Sequence, residues 1–279
     1  MPEQKASGCP IVDRWGTPLP LEDLYLGGQV FLLCPGPSLK TLDLEALRQP
    51  GIMTFGINNV SAIFPTNLWT FGDKPQKFHD SIWLNRGTLK FVPIPKLGDR
   101  RLRQKVGKGE FRNLDKSPRD CPGVVGLLRN SEFHIERWLW EETVNWGNSK
   151  KHDNGLPTLL NTMFQAVRLC YYLGFRTVYL LGVDFQMTVD EGYAFPERRS
   201  EGAVRGNMNA YGNLSWYFAQ LRPWFESAGF EVLNVNRNSG LRVFDFVGYN
   251  DAVRRAAMAE TPIDTYGWYE GFGEEMEDD

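Results

Sequence analysis

The stretch Val30-Phe31-Leu32-Leu33-Cys34-Pro35-Gly36-Pro37-Ser38-Leu39-Lys40 decides how the rest of the chain is read. Apolar, β-forming residues run up to a Cys-Pro-Gly-Pro-Ser turn, the pattern of a buried parallel strand that empties into a tight loop. The spacing behind it predicts a helix over Leu42 to Arg48. In open α/β proteins such a loop borders the ligand. Gly36 admits close approach of backbone to a bound group, Pro35 and Pro37 stiffen the loop, and Ser38 is placed either to cap the next helix or to donate to a phosphate. An ordinary strand-to-helix connection uses the same residues, so the turn alone does not establish a site.

The remaining composition is that of a globular protein. The chain has 279 residues, 42% hydrophobic and 13% aromatic, enough to bury one large core or a core with an appended lobe. Cys9, Cys34, Cys121 and Cys170 lie far apart with no Cys-x-x-Cys or Cys/His metal spacing, and read as reduced thiols in a cytoplasm. No run of eighteen apolar residues gives a basis for membrane insertion. A net charge of -3 sets no global bias toward nucleic acid, which leaves that argument to local patches.

Met1 to Gly28 reads as a lead-in whose Trp15 and Leu19 to Leu26 pack outside the core. Strands are expected at Gln29 to Leu33, Ile52 to Ile57 and Leu68 to Phe71, ending at Cys34-Pro35, Asn58-Asn59 and Asp73. In a parallel sheet these three ends share one edge, the ligand crevice of open α/β folds. A helix is expected over Pro75 to Trp83, and a short strand over Thr88 to Val92. Lys96 to Arg119 then carries nine basic residues, among them Arg100, Arg101, Arg103 and Lys105, with little apolar periodicity. It reads as a loop or hairpin insertion, and either a solvated arm or an anion- or acceptor-binding arm fits its charge. Phe133, Trp138, Trp140 and Trp146 follow, as a small aromatic core or as stacking surfaces.

Helical spacing returns at Leu156 to Leu173, with Gly174 as its stop and Gly155 and Thr158 near its start, where a phosphate or a cap fits. Thr177 to Phe185 reads as a buried central strand with Asp184 at its C-terminal end. Structural pairing and direct ligation are both open to that carboxylate. A polar loop with Arg198, Arg199 and Arg205, an aromatic helix at Tyr211 to Phe225, a strand at Phe230 to Val235, a turn with Ser239 and Gly240, and a helix at Val247 to Met258 complete the pattern. The fold class is α/β: a Rossmann-like, mostly parallel sheet with helices on both faces and a basic, aromatic insertion at about 96–150. Residues 1–260 form one nucleotide-binding domain in this reading, and the acidic tail at 261–279 is expected to be disordered.

Cys34-Pro35-Gly36-Pro37-Ser38-Leu39-Lys40, Asn58, the block from Leu173 to Phe185, Tyr193-Ala194-Phe195 and Asn238-Ser239-Gly240-Leu241 occur in the order found in bacterial sialyltransferases of glycosyltransferase family 42. The chain resembles that family, and equally the related 6-hydroxymethylpterin diphosphokinase MptE-like proteins, a group widespread in phage genomes. The resemblance covers roughly Gln29 to Phe244. It implies a nucleotide donor whose phosphates meet Pro35, Gly36, Pro37 and Ser38, with Asn58, Phe195, Ser239 and Gly240 in the donor site and Tyr193 near the leaving phosphate; Thr158 joins the donor-site candidates from its place near a helix start, not from the resemblance. The chain departs from the family at Pro35 and Asp73, where asparagines are usual. It departs again at Asn207 to Tyr211, where the family's histidine base is missing. His79, His134 and His152 read as surface or structural residues, so either an acceptor's proton falls to a carboxylate such as Asp73, Asp184 or Glu191, or the acceptor is a better nucleophile than a hydroxyl.

Three readings follow. The first is a transferase, most simply a glycosyltransferase working by direct displacement, with Asp184, Asp73 and Tyr193 as catalytic residues. Its acceptor is unidentified, a modified base in phage DNA held by Arg100, Arg101, Arg103 and Lys105 being one candidate. The second is a diphosphokinase of a pterin-like alcohol, which needs Mg²⁺ on Asp73 and Asp184. The third binds nucleotides or nucleic acid without turnover. No Walker loop is present. The sequence sets neither the oligomeric state nor any certain cofactor.

Overall fold

A computed structural model describes residues 9–99, 102–107, 109–150, 155–190, 192–197 and 199–258. Its centre is a nine-stranded sheet made of β1 (Ile11–Val12), β2 (Gln29–Leu33), β3 (Met53–Ile57), β4 (Leu68–Thr70), β5 (Leu89–Pro93), β6 (Val124–Leu127), β7 (Thr177–Leu181), β8 (Glu231–Asn234) and β9 (Asp245–Phe246). The spatial order is β1-β6-β5-β4-β3-β2-β7-β8-β9. Every neighbouring pair is parallel except β1 with β6. After β1, which lies at one edge, the parallel part of the sheet begins in the middle at β2, builds outward through β3, β4, β5 and β6 to meet β1, and returns to lay β7 on the other side of β2. That reversal is the switch point of an open α/β sheet, and its crevice opens at the carboxyl ends of β2 and β7.

The strands read as continuous apolar runs because both faces are covered. Val30 and Leu32 of β2 and Val178 and Leu180 of β7 face a core shared with α3 (Thr162–Tyr172) and α4 (Glu201–Ser227). Phe31, Leu33, Tyr179 and Leu181 alternate to the opposite face, over Val60 of α1 (Val60–Ile63) and Ala252 and Ala256 of α5 (Tyr249–Met258). On that second face Trp69 and Phe71 pack with Trp83 of α2 (Asp80–Leu84). Lys90 of β5 is fully buried and its ammonium donates to the carbonyls of Asn85, Thr88 and Pro122 at 2.5, 3.0 and 2.7 Å.

The α/β sheet with helices on both faces is as the sequence indicates, and several local expectations are corrected. Leu42 to Arg48 is not a continuous helix: Pro37–Thr41 and Leu44–Arg48 are separate 3-10 turns, the second capped by Asp43. The helix expected over Pro75 to Trp83 is a 3-10 turn followed by α2. The lead-in contributes β1, whose Ile11 is fully buried, while Trp15 is exposed. Between residues 96 and 150 the chain forms a hairpin of Arg103–Lys105 and Phe111–Asn113 outside the main sheet and the strand β6 within it. Phe133 and Trp138 join the main core against Phe164 and Tyr217, whereas Trp140 is exposed. The acidic tail lies outside the described residues, and no helix among the described residues is long and apolar enough to cross a membrane.

Candidate functional site

The crevice exists because two loops touch. Beyond β2, the Cys34 N–H donates to the Leu181 carbonyl at 2.8 Å and the Gly36 N–H to the Gly182 carbonyl at 2.9 Å, so pairing continues past the end of the sheet. Glycine is required on both sides. A Cβ at Gly36 would lie 2.3 Å from the Gly182 carbonyl oxygen and 2.4 Å from Asp184 Oδ2. A Cβ at Gly182, where φ is +65°, would lie 2.1 Å from the Cys34 carbonyl oxygen.

Asp184 fastens this junction. Its Oδ2 accepts from the Ser38 backbone N–H at 2.9 Å, its Oδ1 accepts from the Asn236 side-chain amide at 2.5 Å, and its carbonyl accepts from the Gly240 N–H at 2.7 Å. Three strand ends, those of β2, β7 and β8, are thus tied to one residue. The Ser38 N–H, which the sequence offers to a phosphate, is engaged by a carboxylate. Ser239 turns inward, where its hydroxyl accepts from the Leu241 N–H at 3.0 Å.

The inner part of the crevice, with a volume of 160 Å³, is bounded by Gly36, Asn58, Asn161, Asp184, Asn207 and Tyr211, among others. Asp184 is the one charged side chain among the described residues that line it. Phe185, at φ +53°, stacks on Tyr211 with ring centroids 4.8 Å apart. Asn161 caps α3, its side chain accepting from the Met163 N–H at 2.8 Å. Burial pushes the Cys34 thiol well above its ordinary range, and the negative charge of Asp184 adds to the effect, so this lining cysteine is no thiolate at neutral pH.

Outside Pro35 and Asn58 the crevice widens to 660 Å³ and its charge reverses, with Lys77, Arg103 and Arg199 joined by Asp73 and Glu197. Asp73 Oδ2 accepts from the Lys77 ammonium at 2.5 Å and its Oδ1 from the Lys74 N–H at 2.9 Å. Burial works against ionisation of Asp73, but these two donors and the charges of Lys77 and Lys96 outweigh it and hold the carboxyl below its ordinary value. Lys96 donates to the Gly72 and Asp73 carbonyls. Burial, with the positive charge of Arg129 nearby, pulls its ammonium down to about 8. Arg129 lies 3.6 Å from the centroid of Trp146, which lines the outer crevice.

The described residues between Phe185 and α4 form a strap beside the crevice. It is held by the Ala194 N–H donating to the Pro35 carbonyl at 2.8 Å and by Gln186 donating to the Asn238 carbonyl at 2.9 Å. Tyr193 and Phe195 stack within it, and Arg199 donates to the Tyr193 hydroxyl at 3.0 Å. A neighbouring groove continues from the outer crevice along the hairpin, where Arg103 stacks on Phe111 at 4.0 Å and Lys105 and Phe195 complete the walls.

The structure brings Pro35, Gly36, Asn58, Asp184 and Tyr193 to the inner crevice, and Asp73, Phe195 and Arg103 to the outer crevice with Lys105 in the groove beyond. It does not bring Thr158 there. Thr158 is exposed, its carbonyl accepts from Asn213, and the helix cap is Asn161, three residues later. Pro37 opens a 3-10 turn, and neither Pro37, Ser38, Ser239 nor Gly240 lines the crevice; Ser239 and Gly240 brace the Asp184 turn from behind. Arg100, Arg101, Glu191 and His152 lie outside the described residues. His79 caps α2 through its ring, and His134 is at the surface. Sequence reading missed Asn161, Asn207 and the tie to Asn236. The Asn-Thr pair ahead of Met163 is a legible capping signal for the first of these.

Among the described residues, no three His, Cys, Asp or Glu side chains gather as metal ligands. Asp73 and Asp184 are each engaged with protein donors, so these residues do not by themselves make a Mg²⁺ site.

No protein-family model matches the chain, nor does any curated protein. Among solved structures, a sialyltransferase CST-II in complex with a trisaccharide acceptor and CMP is similar at 14% identity, with a TM-score of 0.41, over 80% of this chain and 86% of that one. The sialyltransferase CstII from Campylobacter jejuni in complex with a substrate analogue, cytidine-5'-monophosphate, is similar at 12% identity and a TM-score of 0.39, over 81% and 86%.

Proposed function

We propose that the crevice holds the nucleotide of an activated donor and that the protein is a transferase, most simply a glycosyltransferase. The observation that carries this reading is the partition of charge along the crevice. The inner chamber offers amides, a stacked Phe185–Tyr211 pair and one carboxylate, a set that reads the hydroxyls and ring edges of a nucleoside. The outer chamber offers cations, the setting for a phosphate. A nucleotide therefore enters nucleoside first, with its phosphate at Tyr193 rather than at the Ser38 N–H that Asp184 already engages.

Transfer in this orientation is a direct displacement. The acceptor oxygen attacks the donor's anomeric carbon while the bond from that carbon to the phosphate oxygen breaks, and the electron pair leaves on the phosphate. Tyr193 accepts a hydrogen bond from Arg199, which leaves its own proton to donate to that oxygen. Of the two carboxylates on the outer crevice, Asp73 and Glu197, we assign the acceptor's proton to Asp73, whose bond to Lys77 opens for it to act. The acceptor lies along the hairpin groove, where the rings of Phe78, Phe111 and Phe195 and the cations Lys77, Arg103 and Lys105, against Asp80 and Glu197, suit an anionic, ring-bearing molecule, DNA included; retention of DNA that weakens as salt rises is expected if that is the acceptor.

Calorimetric titration with CMP, CDP, UDP, GDP, ADP and ATP, each with and without Mg²⁺, tests the donor side. One nucleotide is expected to bind without metal, and its sugar conjugate is expected to hydrolyse slowly when no acceptor is supplied. Binding of ATP alone, dependent on Mg²⁺ and lost in Asp73→Ala, would replace this reading with diphosphate transfer, and no binding at all would remove the nucleotide site.

A further inference from the structure

Arg199 differs from the other cations of the outer crevice. Lys77 is paired with Asp73, and Arg103 donates its Nε–H to the Gln76 carbonyl at 3.0 Å while its guanidinium stacks on Phe111. Arg199 reaches Tyr193 at 3.0 Å and Glu197 at 3.1 Å through the same nitrogen, Nη2, and its Nε is buried without a hydrogen-bond partner. A guanidinium presents its donors as a planar fork, and a buried N–H left without an acceptor is costly. The Nε–H is the donor such a fork would offer to a second oxygen of a tetrahedral anion.

The side chain also lies where an anion would have to be read. Its guanidinium is 4.8 Å from the centroid of the Tyr193 ring, and Tyr193 lines both parts of the crevice. The strap that carries both residues is anchored to the β2 loop by the Ala194 N–H on the Pro35 carbonyl. Glu197, on the same strap, is a carboxylate that an incoming phosphate would displace from Arg199.

We infer that Arg199 recognises the donor's phosphate: its Nε–H and Nη2–H grip two phosphate oxygens in place of Glu197, which fixes the strap over the bound nucleotide. The inference rests on the nucleotide reading of the crevice and adds a specificity determinant to it. Arg199 then sets the preference for a nucleotide over its nucleoside, and contributes nothing to recognition of the base.

The test is calorimetry on the full chain with matched pairs: cytidine and CMP, uridine and UMP, guanosine and GMP, adenosine and AMP. For the pair that binds, Arg199→Ala is expected to weaken the monophosphate by about tenfold or more, the scale of a charge-assisted hydrogen-bond pair, and the nucleoside by less than about twofold. Equal weakening of both would make Arg199 a structural prop of the strap and overturn the inference, as would no change in either. Should Arg199→Ala fail to fold, Arg199→Gln carries the same comparison. If the wild-type chain binds no member of any pair, the nucleotide reading itself falls and this inference with it; binding with an unaltered ratio sinks the Arg199 role alone.

Discussion

Gly182→Ala is expected to destabilise the protein by about 3 kcal/mol, read as a fall in the denaturant midpoint at unchanged slope. Two costs add. The residue sits at φ +65°, where an L side chain is strained, and its Cβ would stand 2.1 Å from the Cys34 carbonyl oxygen, which is backbone and cannot swing aside. The β2 loop must then retreat, breaking the Gly36 N–H bond to the Gly182 carbonyl and the crevice floor with it. Nucleotide binding should therefore disappear in whatever fraction stays folded. A midpoint within experimental error of wild type would mean that the two loops are not in contact in solution, and the geometry of the crevice would have to be redrawn.

Asp184→Asn is expected to cost about 2 kcal/mol and to abolish measurable nucleotide binding, although the side chain keeps its shape. The carboxylate accepts from both sides, from the Ser38 N–H and from the Asn236 amide. An asparagine has one oxygen, so its NH₂ must face one of those donors. Asn236 does not resolve the conflict by turning over, because its own Oδ1 already accepts from the Asn238 N–H at 2.9 Å. The Ser38 loop or the Asn236 turn is released in either orientation. A different result is informative: stability kept within about 1 kcal/mol together with lost turnover would assign the carboxylate to the chemistry rather than to the junction.

The sheet was legible because its strands are written as uninterrupted apolar runs. Val30 to Leu33 and Thr177 to Leu181 admit no other reading at that length, and the polar residues that stop them mark the crevice edge. Short elements were not. Pro37 to Arg48 contains enough apolar residues for a helix, yet the chain spends them on two 3-10 turns because Asp43 caps a new start in the middle. α4 begins ten residues before its aromatic pattern does, since its first turns hold Gly202, Gly206 and several exposed polar residues of weak helical preference. Leu159 and Leu160 looked like the opening of a helix and instead pair with Gly147 and Asn148, which displaces the true cap to Asn161.

The site was legible only as an edge. Sequence order shows which loops meet, but a carboxylate at a strand end reads alike whether it ties the walls together or faces a ligand, and the distinction rests on Ser38 and Asn236. The resemblance implies phosphate at the Pro35 to Ser38 loop and near Tyr193. Our proposal keeps only the second position, because the Ser38 N–H is engaged by Asp184, a hydrogen bond that no local pattern reveals.

The two walls of the crevice have a further consequence for how the molecule comes into being. Ser38 and Asp184 are 146 residues apart in the chain. While the polypeptide is being synthesised, β2 can pair with β3 soon after it emerges, but its other edge, an apolar strand with open backbone donors and acceptors, waits for β7. Loop closure over that span is slow, and an unpaired apolar edge is the part of a nascent sheet most exposed to the wrong partner. No fragment ending before Thr177 contains both walls, so the step that seals the sheet is also the one that first creates a place for a ligand.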